Sequence, residues 1–206
     1  MTTVLYDCTR LVAQRNALTP TGIDRVDIHY LNSMLDEHGE NVVGVFQHGN
    51  HLVAMTYDQV SIIHKSLFDR WIGDGLILNH KEDEKLNLIN NELVKLAKDL
   101  DSLPQKPLIH PNVTSILSKK ENQTSIYINT SHRGLDKEAL MSSLKIQLQC
   151  KVLIFIHDII PIDFPEYVSP GDDTVHKRRM ANTSAIADTI IVNSTYTKER
   201  VENFYK

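Results

Sequence analysis

The hydrophobic positions of this chain change period along its length, and the changes mark its elements. Thr3–Tyr6 is a short apolar run that predicts a first strand. Thr19-Pro20-Thr21-Gly22 is turn chemistry followed by a helix start. From there Ile23, Val26, Tyr30, Leu31, Met34 and Leu35 recur at helical spacing and stop near Gly39. Val42–Phe46 predicts a second strand, and His48-Gly49-Asn50 a turn into Leu52–Met55, which together make a hairpin. Val60–Trp71 reads as a short strand and then a helix. Glu82–Leu100 is amphipathic, with Leu86, Ile89, Leu93, Leu96 and Leu100 on one stripe. Leu103–Pro111 carries three prolines and reads as a loop.

Beyond residue 124 the order becomes regular. Ser125–Ile128, Val152–Ile156 and Thr189–Val192 predict strands, separated by helices over Lys137–Leu148 and Thr174–Ala187 and followed by one over Thr195–Phe204. The later strands are apolar at every position. A strand buried on both faces belongs to a parallel sheet covered by helices on each side. The expected fold class is therefore α/β, a Rossmann-like parallel sheet flanked by helices. Functional groups in such sheets gather just beyond the C-terminal ends of the strands.

Composition narrows the picture without naming a function. The chain has 206 residues, 41% hydrophobic and 23% charged, which suits one large domain or two small ones with a real core. The strand order favours one. A formal net charge of −4 lends no support to nucleic-acid binding or to an anionic membrane surface. Cys8 and Cys150 form no ligand pair and read as reduced thiols. The first residues lack a basic segment and an apolar segment of the export type, and no apolar run is long enough to span a bilayer. The expected location is cytoplasmic. On that expectation the five N-x-S/T sequons at Asn112, Asn122, Asn129, Asn182 and Asn193 carry no meaning.

Four strand-end segments hold the candidate chemistry. Thr21 and Gly22 open a helix whose N-terminus can hold an anion, although the local sequence is no GxGxxG and Thr21 can equally be a plain N-cap. Asn129-Thr130-Ser131-His132-Arg133-Gly134 follows one strand. His157 and Asp158 follow five apolar residues, where a polar pair is costly unless it meets solvent, a partner or a ligand. That imidazole suits hydrogen bonding to a sugar hydroxyl or acid–base work, with Asp158 orienting it; capping of the next turn is the plainer alternative. Asn193, Ser194 and Thr197 combine an N-cap with polar neighbours. His157, Asp158 and Asp163 offer a weaker metal-site option. Lys177-Arg178-Arg179 reads as a solvated helix face, with phosphate or anionic-lipid contact as the other option.

Four segments, taken in order, resemble the N-terminal domain of bacterial family 4 glycosyltransferases, retaining enzymes of GT-B architecture. The matching segments are Tyr6-Asp7-Cys8-Thr9-Arg10-Leu11, Thr21-Gly22-Ile23-Asp24-Arg25-Val26, the run from Ile156 to Tyr167, and the run from Ala187 to Thr197. The resemblance covers residues 1–48 and 124–206. It implies a single Rossmann-like lobe over 1–206 with a variable insertion around 56–120, and a polysaccharide-building hexosyltransferase as the whole enzyme. It further implies His157 and Asp158 as the catalytic residues. Gly22, Arg25 and Ser194 would bind substrate or donor phosphate, the strand-end reading adds Thr21, His132 and Asn193 to that set, and no metal and no cofactor would be required. The partners would be a nucleotide-sugar donor and a glycan or lipid-linked acceptor, with peripheral contact at the inner face of the membrane left open.

The departure is the family's donor-binding lobe, with its Lys/Arg and E-x7-E pair, which has no counterpart here. Glu84 and Glu92 have the E-x7-E spacing but lie on the amphipathic helix, and the match is rejected. The expectation is of a lobe inactive alone. A non-catalytic Rossmann-like module that binds a glycan or a protein is the alternative.

Overall fold

The computed structural model describes residues 2–73, 80–106, 108–119 and 124–206. Residues 74–79, 107 and 120 of the expected insertion, and the sequon residue Asn122, lie outside the described residues. The strands are β1 (Thr2–Asp7), β2 (Val42–His48), β3 (His51–Ala54), β4 (Thr124–Asn129), β5 (Lys151–Ile156) and β6 (Thr189–Val192). The helices are α1 (Thr9–Ala13), α2 (Gly22–His38), α3 (Tyr57–Trp71), α4 (His80–Asp101), α5 (Pro111–Ser118), α6 (Glu138–Ile146), α7 (Ile160–Asp163), α8 (Asp172–Ile186) and α9 (Thr195–Phe204). The protein is α/β, as the strand pattern predicts.

The six strands form one sheet in the order β3-β2-β1-β4-β5-β6. All neighbours are parallel except β2 and β3, which make the expected hairpin. Period-2 alternation sends successive side chains of β1 into opposite cores. Leu5 joins Val45, Tyr127, Leu140, Leu144, Val152 and Ile154 on one face. Val4 and Tyr6 join Ile28, Leu31, Val60, Leu67, Leu86 and Leu93 on the other. The segment between the hairpin and β4 is thus built into both cores: α3 and α4 cover the second face together with α1 and α2, and Ile109 and Val113 join the first.

Two assigned segments differ from the sequence reading, and α1 and the short α7 are helices that it does not predict. Val60–Trp71 contains no strand; α3 runs unbroken from Tyr57. A capping box starts it, with the Thr56 hydroxyl accepting from Gln59 N at 3.2 Å and Gln59 Oε1 accepting from Thr56 N at 3.0 Å. Val60, Ile63, Leu67 and Trp71 then fall on one buried stripe. The Leu103–Pro111 loop ends in a helix of its own, α5, with Pro111 at its first turn and His110 Nδ1 accepting from Asn112 N at 3.0 Å. Just before it Ile109 makes an isolated parallel bridge to Leu52.

One glycine sets the distance between sheet and helix. A Cβ on Gly44, in the middle of β2, would stand 2.4 Å from Val60 Cγ2 and 3.1 Å from Met55 Sδ. Gly44→Ala must push α3 off the sheet. Overpacking of this kind costs about 1–3 kcal/mol, so the melting temperature is expected to fall by roughly 3–10 °C in scanning calorimetry; an unchanged value would show that α3 is not seated on Gly44.

Candidate functional site

Sheet order changes direction between β1 and β4, which is the topological switch point where open α/β sheets place their ligand crevice. The sequence delivers polar residues to that point. Asp7 ends β1 and is wholly buried. Its carboxylate accepts from Thr9 N at 2.9 Å, Gln47 Nε2 at 2.6 Å, Tyr127 Oη at 2.5 Å and Asn129 Nδ2 at 3.4 Å. Burial pushes its pKa up, and these hydrogen bonds oppose the shift. Asn129 also shapes the loop after β4: its Oδ1 accepts from Ser131 N and His132 N at 3.1 and 3.0 Å. The loop then presses on β2 through Gly134, which has φ +77° and whose added Cβ would lie 1.9 Å from Gln47 Oε1. Only glycine fits there.

Above this floor opens a cleft of about 670 Å³. Thr9, Arg10 and Arg15 form one wall, Gln47 and His48 the base, and Ser131, His132, Arg133, Lys137 and Arg179 the other wall. Among the described residues its one lining carboxylate is Asp136.

Thr21 and Gly22 sit beside the first wall. Thr21 caps α2 through a capping box with Asp24, whose carboxylate accepts from Thr21 N at 2.8 Å. Arg10 ties this cap to α1, donating to Asp24 Oδ1 at 2.6 Å and to Thr21 Oγ1 at 3.1 Å. Burial would raise the Asp24 pKa, but the Arg10 and Thr21 bonds outweigh it and hold the group below the usual carboxylate range. Thr21 is therefore a true N-cap. Gly22 is exposed, and an added Cβ would meet nothing within 4 Å. The space over the helix start is open. Arg25 is exposed on α2 and does not line the cleft.

His132 lines the cleft, and His157 stands behind it, outside the lining. The Thr130 carbonyl can only accept, so the 2.7 Å contact from His157 Nε2 fixes the proton on that nitrogen and leaves Nδ1 as the acceptor. His157 N in turn donates to His132 Nε2 at 3.2 Å, which makes His132 the Nδ1–H tautomer. The rings of His132 and His157 stand 5.2 Å apart, and those of His132 and His176 stand 5.5 Å apart. Desolvation by burial, together with the neighbouring His157, His176 and Arg179, pushes the His132 pKa down to about 3. Burial also lowers His157 and His176. The trio is held toward its neutral form, and His132 accepts a left-handed φ of +61° to enter it.

The remaining candidates lie further along the strand ends. Asp158 Oδ1 accepts from Ile160 N at 3.0 Å and so caps the next turn. Ser194 caps α9 by accepting from Thr197 N at 3.1 Å, and Thr197 Oγ1 donates to Asn193 Oδ1 at 3.0 Å and reaches the His157 carbonyl at 3.4 Å. Asn193 and Ser194 are exposed and do not line the cleft. Asp163 is engaged by Arg200 at 2.8 and 2.5 Å, so the His157–Asp158–Asp163 metal option does not assemble. Among the described residues no three His, Cys, Asp or Glu side chains form a metal-holding group.

No family model, curated protein or solved structure matches this chain. The site therefore stands on its own geometry. That geometry adds residues that sequence reasoning did not assign to the site. Arg15, Arg133, Lys137 and Arg179 turn into the cleft, and the basic triplet on α8 divides: Lys177 pairs with Asp173 at 3.1 Å, Arg178 is exposed, and Arg179 lines the wall 3.8 Å from Asp136. Glu92 accepts from Gln59 Nε2 at 2.9 Å on the far core's helices, consistent with rejecting the E-x7-E spacing. Both cysteines are free and buried.

The buried histidines predict the acid limb of stability. A folded pKa pushed below the unfolded 6.5 adds stability above pH 6.5 that is lost as pH falls toward about 3. Asp27, raised by burial to about 7, works oppositely as pH rises from about 4 to 7. His132→Gln removes one histidine contribution, at most about 1.4 kcal/mol per pH unit. Urea unfolding between pH 4 and 6.5 should show a shallower pH slope in the variant; parallel slopes would mean that His132 is not held neutral.

Proposed function

We propose that this chain is the acceptor-side lobe of a retaining sugar transferase, which passes a sugar from a nucleotide-sugar donor to a glycan or lipid-linked acceptor. The observation that carries the reading is the polar, cation-rich cleft at the β1/β4 switch point, flanked by an open helix start and backed by neutral imidazoles. A cleft of this size accommodates sugar-sized ligands. Of the segments on which the family resemblance rests, the first and third begin at the C-terminal ends of β1 and β5, the second opens α2, and the fourth runs through β6 to its C-terminal end.

Each residue has a distinct role. The capping box uses Thr21 N and Asp24 N, which leaves the N–H groups of Gly22 and Ile23 unable to bond within the helix. Those groups, with the positive end of the helix dipole, suit a donor phosphate. His157 presents Nδ1 as an acceptor, so a sugar hydroxyl donates to it. The imidazole keeps that role at neutral pH because burial disfavours its charged form. Asp158 holds the loop after β5 and with it the His157 backbone. In this reading the neutral histidine positions the sugar, and stabilisation of the departing phosphate falls to the helix start. Among the described residues no helix is long and apolar enough to cross a membrane.

Residue-resolved NMR titration of the chain with nucleotide sugars and acceptor glycans tests the reading. Shifts are expected at Gly22–Asp24, at His132 and at His157–Asp158. Gly22→Ala meets no atom within 4 Å, so it should leave the melting temperature within about 1 °C while weakening nucleotide-sugar binding several-fold by filling the space over the helix start. Glycan binding without any response to nucleotide sugars would instead indicate a binding module, and silence at all these amides would overturn the lobe assignment.

A further inference from the structure

We infer that the cleft wall formed by Arg133, Lys137 and Arg179 is a binding site for a phosphomonoester, and that the acceptor is therefore a phosphorylated sugar. This rests on the lobe reading for the word acceptor; the anion site itself does not.

The charges on that wall are incompletely matched. Arg179 lies 3.8 Å from Asp136, and its Nε is buried without a hydrogen-bond partner. A buried donor in that condition is costly unless something completes it. The Lys137 ammonium donates to the Gly49 carbonyl, a neutral group, and burial depresses its pKa. Arg133 is exposed at the mouth. Three cations thus face one carboxylate. Across the cleft the Arg15 guanidinium donates to Asn87 Oδ1 and the Val12 carbonyl, both neutral, while Arg10 is matched by Asp24.

A surplus of this size suits a phosphate better than a carboxylate. A phosphomonoester brings nearly two negative charges and three strong acceptor oxygens near neutral pH, whereas a carboxylate brings one charge and two oxygens. Arginine forks take such oxygens in pairs. The cleft volume of about 670 Å³ is far more than an inorganic phosphate fills. Thr9, Gln47, Asn90 and Ser131 line the remainder and can serve hydroxyl groups. A phosphate joined to a polyol matches both halves.

The site is built on different elements from the start of α2, where the donor phosphate is placed. Gly22 and Thr21 do not line the cleft, and of that helix start only Ile23 reaches it. The two anions of a transfer reaction can then be held on different elements, the donor's on α2 and the acceptor's on the loop after β4 and on α8.

Calorimetric titration of the purified chain, paired with NMR mapping, distinguishes the outcomes. Glucose 6-phosphate is the main probe, with glucose, glucuronate, inorganic phosphate and UDP-glucose beside it. Glucose 6-phosphate should bind with shifts at Arg133, Lys137 and Arg179, and more tightly than glucose, glucuronate or inorganic phosphate. Arg133→Gln and Lys137→Gln should each weaken it by about tenfold, the scale of one charge-assisted hydrogen bond. Arg178→Gln, on the exposed face of α8, should change nothing. Arg133 is exposed, so its variant keeps the fold, and melting curves verify this for both. Equal binding by wild type and variants, or no binding, overturns the site. Inorganic phosphate or glucuronate binding as tightly as glucose 6-phosphate overturns the phosphosugar assignment. UDP-glucose shifting Arg133 and Lys137 rather than Gly22 makes this the donor's site and overturns the acceptor role. If UDP-glucose shifts Gly22 and His157 while glucose 6-phosphate stays silent, this inference fails and the lobe reading stands.

Discussion

The burial of one carboxylate organises the working end of this molecule. Asp7 leaves β1 at the sheet's switch point with no access to water. A carboxylate so placed must gather donors, and it takes them from the turn into α1, from Gln47 on β2 and from Tyr127 and Asn129 on β4. Three strand ends are thereby fixed in register where the cleft opens. Remove the acceptor, and Tyr127 Oη, Gln47 Nε2 and Asn129 Nδ2 would compete for poorer partners. Asn129 would then lose some of the support with which it folds the loop carrying His132 and Arg133.

A second buried carboxylate does the corresponding work on the neighbouring layer of helices. Asp27 on α2 accepts from Tyr6 Oη at 2.8 Å and from Thr130 Oγ1 at 2.6 Å. Thr130 in turn accepts His157 through its carbonyl. A continuous polar chain therefore runs from α2 through β1 and the end of β4 to the histidine at the end of β5. Such networks specify one arrangement when nearly every member is satisfied, because the interior penalises each unmet group. Asp27 Oδ2 is the atom in this chain without a partner, and burial there pushes the group up to about 7. Protonation of that oxygen removes the penalty of an unpaired charge, so the site's scaffold is coupled to pH through Asp27 as well as through its histidines, which burial holds toward the neutral form.

Legibility in the sequence followed the physics of each signal. The strands were visible because burial on two faces leaves uninterrupted apolar runs such as Leu153-Ile154-Phe155-Ile156. Helices with caps and a stripe, α2 and α4, were visible for the same kind of reason. The region Val60–Trp71 misled because its start, Val60-Ser61-Ile62-Ile63, is locally β-like; the capping box at Thr56 and Gln59, just ahead of it, decided for a helix. Strand-end polarity marked His132, His157 and the α2 cap, since a polar residue after an apolar strand is expensive without a use. The direction of a long cationic side chain leaves no such trace. Arg179 and Arg178 are neighbours in one basic triplet, yet α8 turns only the first toward the cleft, and helix phase against the sheet is set by tertiary packing of Met180, Thr183 and Ile186.

That last dependence explains how so basic a cleft exists in a chain of net charge −4. Cations on loops and helix ends are solvated in the unfolded chain and repel weakly there. Folding gathers Arg133, Lys137 and Arg179 because Gly134 lets the loop approach Gln47 and because α8 packs beside α6. The apolar contacts that seat α8 thus supply the free energy that holds like charges together, and glycine at 134 permits the loop's close approach. The cost of their mutual repulsion is carried by the core, and it is relieved when an anion enters. A site assembled in this way is held ready by the fold rather than created by its ligand, which is the condition under which binding loses least to ordering.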